Sequence, residues 1–184
     1  MISLHRQHVD AFLERSIPAT PGLRGLHIGC GGDGRGRYRP VASQRWTNAD
    51  LIAGHVRADV LAMPFRSRSF DIVRATEFLY HMDPREIAGA FAECRRVLAS
   101  GGVLVATMPC AGFPPINAHD CLRLTAEGLR RVLPFQDVEI TPLGGYWSHL
   151  VSMLEHLTRA FCILRPLARW DNGAYAMAHG VVAR

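Results

Sequence analysis

The amino-acid sequence predicts an α/β fold: a mostly parallel sheet with both of its faces covered. Three observations carry this. Short apolar runs that end in glycine or an acid recur along the chain, as in LRGLHIGC and RWTNAD. From residue 84 onward such runs alternate with stretches of helical periodicity, the pattern of strand–helix–strand units. The chain has 184 residues, 48% hydrophobic and 20% charged, enough to bury a core as one domain and too apolar for wholesale disorder.

Each element follows from its own pattern. Leu4, His8, Phe12 and Arg15 share one helical face, with Val9 and Leu13 beside it, so a lead-in helix is expected within residues 1–20. LRGLHIGC (23–30) reads as a short apolar strand running into a glycine-rich turn, and RWTNAD (45–50) as a second strand ending in an acid. HVRADVL (55–61) and FDIVRATE (70–77) read as the third and fourth. Asp83 as N-cap and Pro84 in the first turn predict a helix running to Leu98, because Ile87, Ala90, Phe91, Cys94, Val97 and Leu98 follow three-four spacing. Gly101 and Gly102 are expected to end it, with GVLVATMPC as a fifth strand. Thr125 is expected to cap a helix through Leu133, before sixth and seventh strands at 137–143 and within 174–184. Helices after the first two strands should be short or missing. GGDGRGRYRPVASQ is too rich in Gly, Arg and Pro, and LIAG is barely one turn.

The segment 146–168 predicts one continuous helix, with Leu150, Met153, Leu154, Leu157, Phe161 and Leu164 along a single stripe. Core packing on the sheet, a lid over an apolar ligand, a dimer face or a membrane-surface contact through 149–167 are its four readings.

Composition narrows the function. Five cysteines, an odd number without any CxxC pair, predict reduced thiols rather than a disulfide framework. Nine histidines without HxxxH or HExxH spacing predict no metal site. The net charge is +5 and all 21 basic residues are Arg, which reads as base-composition bias. Arginines crowd in GDGRGRYRP and FRSRSF but are not interleaved with aromatics, so no nucleic-acid partner is expected. No apolar run approaches a membrane span and MISLHRQHVDAFLERS lacks a secretory signal, so a cytoplasmic location is expected.

In an open α/β sheet, ligands bind beyond the carboxyl ends of the strands where strand order reverses. Gly29, Gly31 and Gly32 follow the first predicted strand, Asp50 ends the second about twenty residues on, and Asp59 lies near the end of the third. A carboxylate at that spacing can accept hydrogen bonds from ribose hydroxyls, and Asp59 could take the exocyclic amine of an adenine. Together these predict a nucleoside site. GCGGDG also satisfies GxGxxG, so an NAD-binding protein is an alternative. Such a fold needs a helix at the third glycine, and RGRYRP cannot pack as one.

HIGCGG, the acid at Asp50, DVLAMPFRSRSFDIV and the run RRVLASGGVLVATMP resemble the class I S-adenosylmethionine-dependent methyltransferases, and among them the methyltransferase type 11 group. The resemblance covers roughly residues 23–143 and is most specific at Asp59 with Leu61-Ala62-Met63-Pro64-Phe65, then Ser69-Phe70-Asp71. It implies a Rossmann-like three-layer sandwich whose seven-stranded sheet has its last strand antiparallel, with S-adenosylmethionine as cofactor and a small molecule as acceptor. Ile28, Gly29, Cys30 and Gly31 would border the methionine portion. Asp50 and Leu51 would hold ribose and adenine, Asp59 and Val60 the adenine edge, and Thr76, Glu77 and Phe78 would cover the sulfonium side. Members commonly show a Glu-His pair after the fourth strand; here the pair is Tyr80-His81, so the Glu is missing and the His keeps its place. Methyl transfer needs proximity and, for a hydroxyl or acidic carbon, a base; His81 is the first candidate and His119 the second. A non-catalytic methyltransferase-like binding domain is the rival reading.

Overall fold

Ser3 opens the first helix, α1 (Leu4–Ser16), by accepting a hydrogen bond from the Arg6 N–H at 3.2 Å. The buried face of α1 is Leu4, Val9, Phe12 and Leu13. The computed structural model describes residues 3–31, 43–110 and 120–184; the stretch expected to carry a weak helix after the first strand lies outside these residues. Seven strands follow: β1 (Arg24–Ile28), β2 (Arg45–Asp50), β3 (Val56–Arg57), β4 (Phe70–Thr76), β5 (Leu98–Pro109), β6 (Val138–Leu143) and β7 (Ala178–Ala183). They form one sheet in the order β3-β2-β1-β4-β5-β7-β6. Pairings among β1 to β5 are parallel, while β7 runs antiparallel to both β5 and β6.

Both faces of this sheet are covered, as continuous apolar strands require. Alternation along β5 sends Leu104 and Ala106 to one face and Val103 and Val105 to the other. On the first face Ile87, Phe91 and Cys94 of α2 (Ile87–Val97) and Leu129 of α3 (Ala126–Val132) meet Leu26, Ile28 and Val73. On the second, Val9, Phe12 and Leu13 of α1 meet Ile72 and Val182. Helix α4 (Tyr146–Leu157) packs beside α1. Asp171 caps α4 from beyond its far end, accepting from the N–H groups of Trp147 (2.9 Å) and Ser148 (3.2 Å) and from the Ser148 hydroxyl, which also bonds His8 Nε2 at 2.8 Å.

Four local expectations are corrected. The third strand pairs over Val56–Arg57 alone, because Asp59 turns the chain: its Oδ1 accepts from Leu61 N–H at 2.9 Å and its carbonyl from Ala62 N–H at 3.1 Å. Helix α2 begins at Ile87 rather than Pro84. Asp83 instead caps a turn, taking the N–H groups of Arg85 on Oδ1 and of Glu86 on its carbonyl, both at 2.9 Å. Helix α2 also ends earlier, at Val97, and Leu98 is already extended, so Gly101 (φ 75°) and Gly102 lie inside β5, where its register with β4 shifts. The continuous stripe over 146–168 is broken. Thr158 is extended (φ −158°, ψ 139°) and its hydroxyl caps a run of 3-10 turns, Arg159–Trp170, that contains Pro166. Val151 is buried there, but Met153 and Ile163 are exposed. Among the described residues no helix is long and apolar enough to cross a membrane.

Candidate functional site

The parallel strands β1, β2 and β4 end on the same edge of the sheet, and β1 has β2 on one side and β4 on the other. The crevice at this reversal is where an α/β sheet receives ligands. Two adjoining cavities open there, of about 690 and 310 Å³. Gly29, Asp50, Phe78 and His81 line both.

Backbone geometry builds the floor. Gly29 has φ 65° and donates its N–H to the Ala49 carbonyl at 3.0 Å. A Cβ on it would lie 2.2 Å from Cγ of Phe78, so only glycine lets this ring cross the strand end. Gly31 also has positive φ, at 68°, but a Cβ there would meet nothing within 4 Å among the described residues.

Asp50 ties the two strand ends together. Its Oδ2 accepts from Gly31 N–H at 3.0 Å, and its Oδ1 from the N–H groups of Ile52 (2.9 Å) and Ala53 (3.3 Å). Burial alone would raise this carboxyl, but the three backbone donors outweigh it and hold the pKa below the ordinary value. The acid is therefore ionised, and its remaining lone pairs suit hydroxyl donors.

The larger cavity has apolar walls from Ile28, Leu51, Val60 and Met63, with Asp59 at its side. The smaller one is charged. Cys30, Gly31, Thr76 and Glu77 line it with Arg6, His27 and Arg74. His27 is buried and accepts from Arg74 Nη2, 2.6 Å from its Nδ1. Burial first and the Arg74 charge second depress the His27 pKa to about 3, so the imidazole is neutral. Arg74, only 5% exposed, also lies over the Trp46 ring at 5.5 Å.

Glu77 follows β4 in a left-handed conformation, φ 55°, which is rare outside glycine and a mark of functional sites. Its N–H donates to the Thr107 carbonyl (3.2 Å), and its Oε2 meets His5 Nε2 of α1 at 2.8 Å. Burial would raise this carboxyl too; the bond to His5 reverses the effect and the pKa lies below the ordinary glutamate value. His81 closes the 3-10 turn Leu79–His81, with its ring centroid 4.0 Å from that of Tyr80.

The predicted residues Ile28, Gly29, Asp50, Leu51, Asp59, Val60, Phe78 and His81 thus border the larger cavity, and Cys30, Gly31, Thr76 and Glu77 the smaller. His119 lies outside the described residues. Arg6, His5, His27 and Arg74 were not anticipated from sequence. The available signal was a histidine and an arginine inside two otherwise apolar strands, LRGLHIGC and FDIVRATE, since buried charge outside a functional site is rare.

Residues 26–106 match a family model described as a methyltransferase domain. The chain is similar to malonyl-[acyl-carrier protein] O-methyltransferase of Enterobacter lignolyticus, 32% identical over 125 residues that make up 61% of this chain and 49% of that protein. It is similar to a sterol 24-C-methyltransferase of Gibberella zeae, 28% identical over 114 residues, 51% of this chain and 30% of that protein. The chain therefore spans less than half the length of these two curated relatives. Among solved structures it superposes on a SAM-dependent methyltransferase from Archaeoglobus fulgidus with a TM-score of 0.65, at 17% identity, covering 97% of this chain and 93% of that one. At that identity the likeness speaks for the fold.

Proposed function

We propose that this chain, whose residues 26–106 match the methyltransferase-domain model, binds S-adenosylmethionine at the ends of β1, β2 and β4 and transfers its methyl group to a small-molecule acceptor, on oxygen or carbon. One observation carries the reading. An ionised Asp50 lines both an apolar cavity large enough to take a nucleoside and a charged one, beside a glycine whose Cβ would meet nothing within 4 Å among the described residues.

The residues fit that cofactor. Asp50 would accept the ribose hydroxyls, Leu51 and Val60 would flank the adenine, and Asp59 would take its exocyclic amine. Cys30, Gly31, Thr76 and Glu77 would border the methionine end. When bound, the sulfonium supplies an activated methyl carbon open to in-line displacement. The protein's share is proximity, orientation and exclusion of water. Phe78, which borders both cavities, would shield the reacting centre. His81, on the same turn, is the group to take a proton from a hydroxyl or acidic-carbon acceptor.

Calorimetry tests this directly. Micromolar binding of S-adenosylmethionine and S-adenosylhomocysteine is expected, with no measurable heat from NAD. Binding of NAD in their place would return the chain to the dinucleotide reading.

A further inference from the structure

A groove of about 610 Å³ lies at the opposite end of the sheet, where β4 and β5 begin rather than where β1, β2 and β4 end. Arg68, from the FRSRSF run that the donor site does not use, lines it with Arg95 and Arg96 of α2 and with Arg184. No acid is among its lining residues. Two of the four charges are answered from outside the groove: Glu93 holds Arg96 at 2.7 Å, and Asp137 faces Arg184 at 3.5 Å. Arg68 and Arg95 have no carboxylate within ion-pair distance among the described residues.

Both unanswered arginines are held in place. Arg95 donates from Nη1 to the Pro134 carbonyl, and its guanidinium lies 5.5 Å over the Phe135 ring; these contacts fix its position without cancelling its charge. Arg68 is set by its backbone. Its N–H donates to the Arg96 carbonyl and the Ser69 N–H to the Val97 carbonyl, both at 2.9 Å, which fastens the turn before β4 to the end of α2. There Arg68 has φ 59°, strained for a residue with a Cβ and natural for glycine. A side chain kept at such a position points to a task. Gly101 and Gly102 also line the groove, and a Cβ on Gly101 would meet nothing within 4 Å among the described residues, so a ligand can approach the main chain. Ser67 and Ser100 add hydroxyls. Positive charge gathered on a concave wall raises the local concentration of anions.

We propose that this groove is a second ligand site, independent of the donor site, and that it binds a diphosphate group through Arg68 and Arg95. A guanidinium matches phosphoryl oxygens with two parallel hydrogen bonds, which gives one phosphoryl group to each unanswered arginine. The paired Arg96 and Arg184 add background positive charge, and the serine hydroxyls can donate to the remaining oxygens.

Calorimetry with inorganic pyrophosphate and orthophosphate tests it on wild type, Arg68→Gly, Arg68→Asn and Arg66→Gln. Wild type should favour pyrophosphate by at least about tenfold, the range of one charge-assisted bond. Arg68→Gly should weaken pyrophosphate by about tenfold or more yet melt no lower than wild type, since glycine relieves the left-handed backbone. Arg68→Asn, which also tolerates that backbone, should repeat the loss. Arg66 is on the same turn but does not line the groove, so Arg66→Gln should stay within about twofold. Uridine diphosphate separates the two sources of the group: binding tighter than pyrophosphate, and lost in Arg68→Gly, assigns the groove to a diphosphate ester, and weaker binding assigns it to the free anion. No preference for pyrophosphate in wild type, or equal losses in Arg68→Gly and Arg66→Gln, overturns the proposal by reducing the groove to general charge attraction. Binding of S-adenosylhomocysteine should be the same in all four proteins, so the donor reading stands or falls separately.

Discussion

Gly29 and Gly31 offer a controlled comparison, because they share a left-handed backbone but differ in what surrounds them. Alanine at either position must hold a positive φ, which costs roughly 1–2 kcal/mol for a residue with a Cβ. At Gly31 that is the whole expected penalty, since the new methyl would meet nothing within 4 Å among the described residues. At Gly29 the methyl would lie 2.2 to 2.6 Å from three carbons of Phe78, and overpacking of this kind adds about 1–3 kcal/mol. Gly29→Ala should therefore lose about 2–5 kcal/mol against about 1–2 for Gly31→Ala. For a chain of this size each kcal/mol lowers Tm by roughly 2–4 °C. Urea denaturation followed by circular dichroism measures both. The decisive step repeats them in a Phe78→Ala background, which removes the obstructing ring. There the excess cost of Gly29→Ala should vanish and that of Gly31→Ala should not change. Equal costs in wild type, or an excess at Gly29 that survives loss of the ring, would refute the reasoning. At Gly31 the larger effect should be on ligand: Gly31→Val projects into the open cavity and should abolish donor binding with little further change in melting.

Other outcomes follow from the site's electrostatics. Asp50→Ala should weaken S-adenosylhomocysteine by about 1–3 kcal/mol, roughly 5- to 150-fold, through lost charge-assisted hydrogen bonds; an unchanged Kd by calorimetry removes Asp50 from the ribose. If His81 is the base, His81→Ala should lower turnover by about 10²–10⁴-fold without a matching loss of donor affinity. A near-neutral limb in the pH–rate profile that persists in the mutant rules it out. The unfolded chain protonates His27 near its ordinary value of 6.5, whereas the folded chain does so only near about 3. Stability should therefore fall as pH drops through that window, because the unfolded state binds the extra proton. His27→Gln, which cannot titrate, should show a shallower decline in urea midpoints, and an identical slope would show that His27 does not contribute.

The core strands were legible because each is an apolar run with a marked end, and RWTNAD matches β2 residue for residue. The glycines and Asp50 were legible for the same reason: they sit where those runs stop. What sequence hid was the competition of side chains for the backbone. Asp59 and Asp83 look like ends of regular elements, yet each folds its carboxylate back onto local N–H groups and makes a turn. Thr158 breaks an apolar stripe that periodicity alone reads as continuous. The charged lining of the smaller cavity was hidden by distance. Arg6 and His5 reach the ends of β1 and β4 only through the packing of α1 on the sheet, and no local pattern encodes a contact across some seventy residues.

The position of β7 bears on how the chain emerges from the ribosome. It is synthesised after every other strand, yet it lies between β5 and β6 and is the strand that β6 pairs with. Until Ala178–Ala183 has cleared the exit tunnel, β5 presents an open edge and β6 has no sheet to join, while β1 to β5 can already assemble side by side. A nascent intermediate thus carries an unpaired apolar edge for as long as translation of some seventy residues takes, the kind of surface that invites aggregation or chaperone capture. A pause engineered between β5 and β7 should lengthen that exposure and lower soluble yield, and the same pause placed before β5 should not.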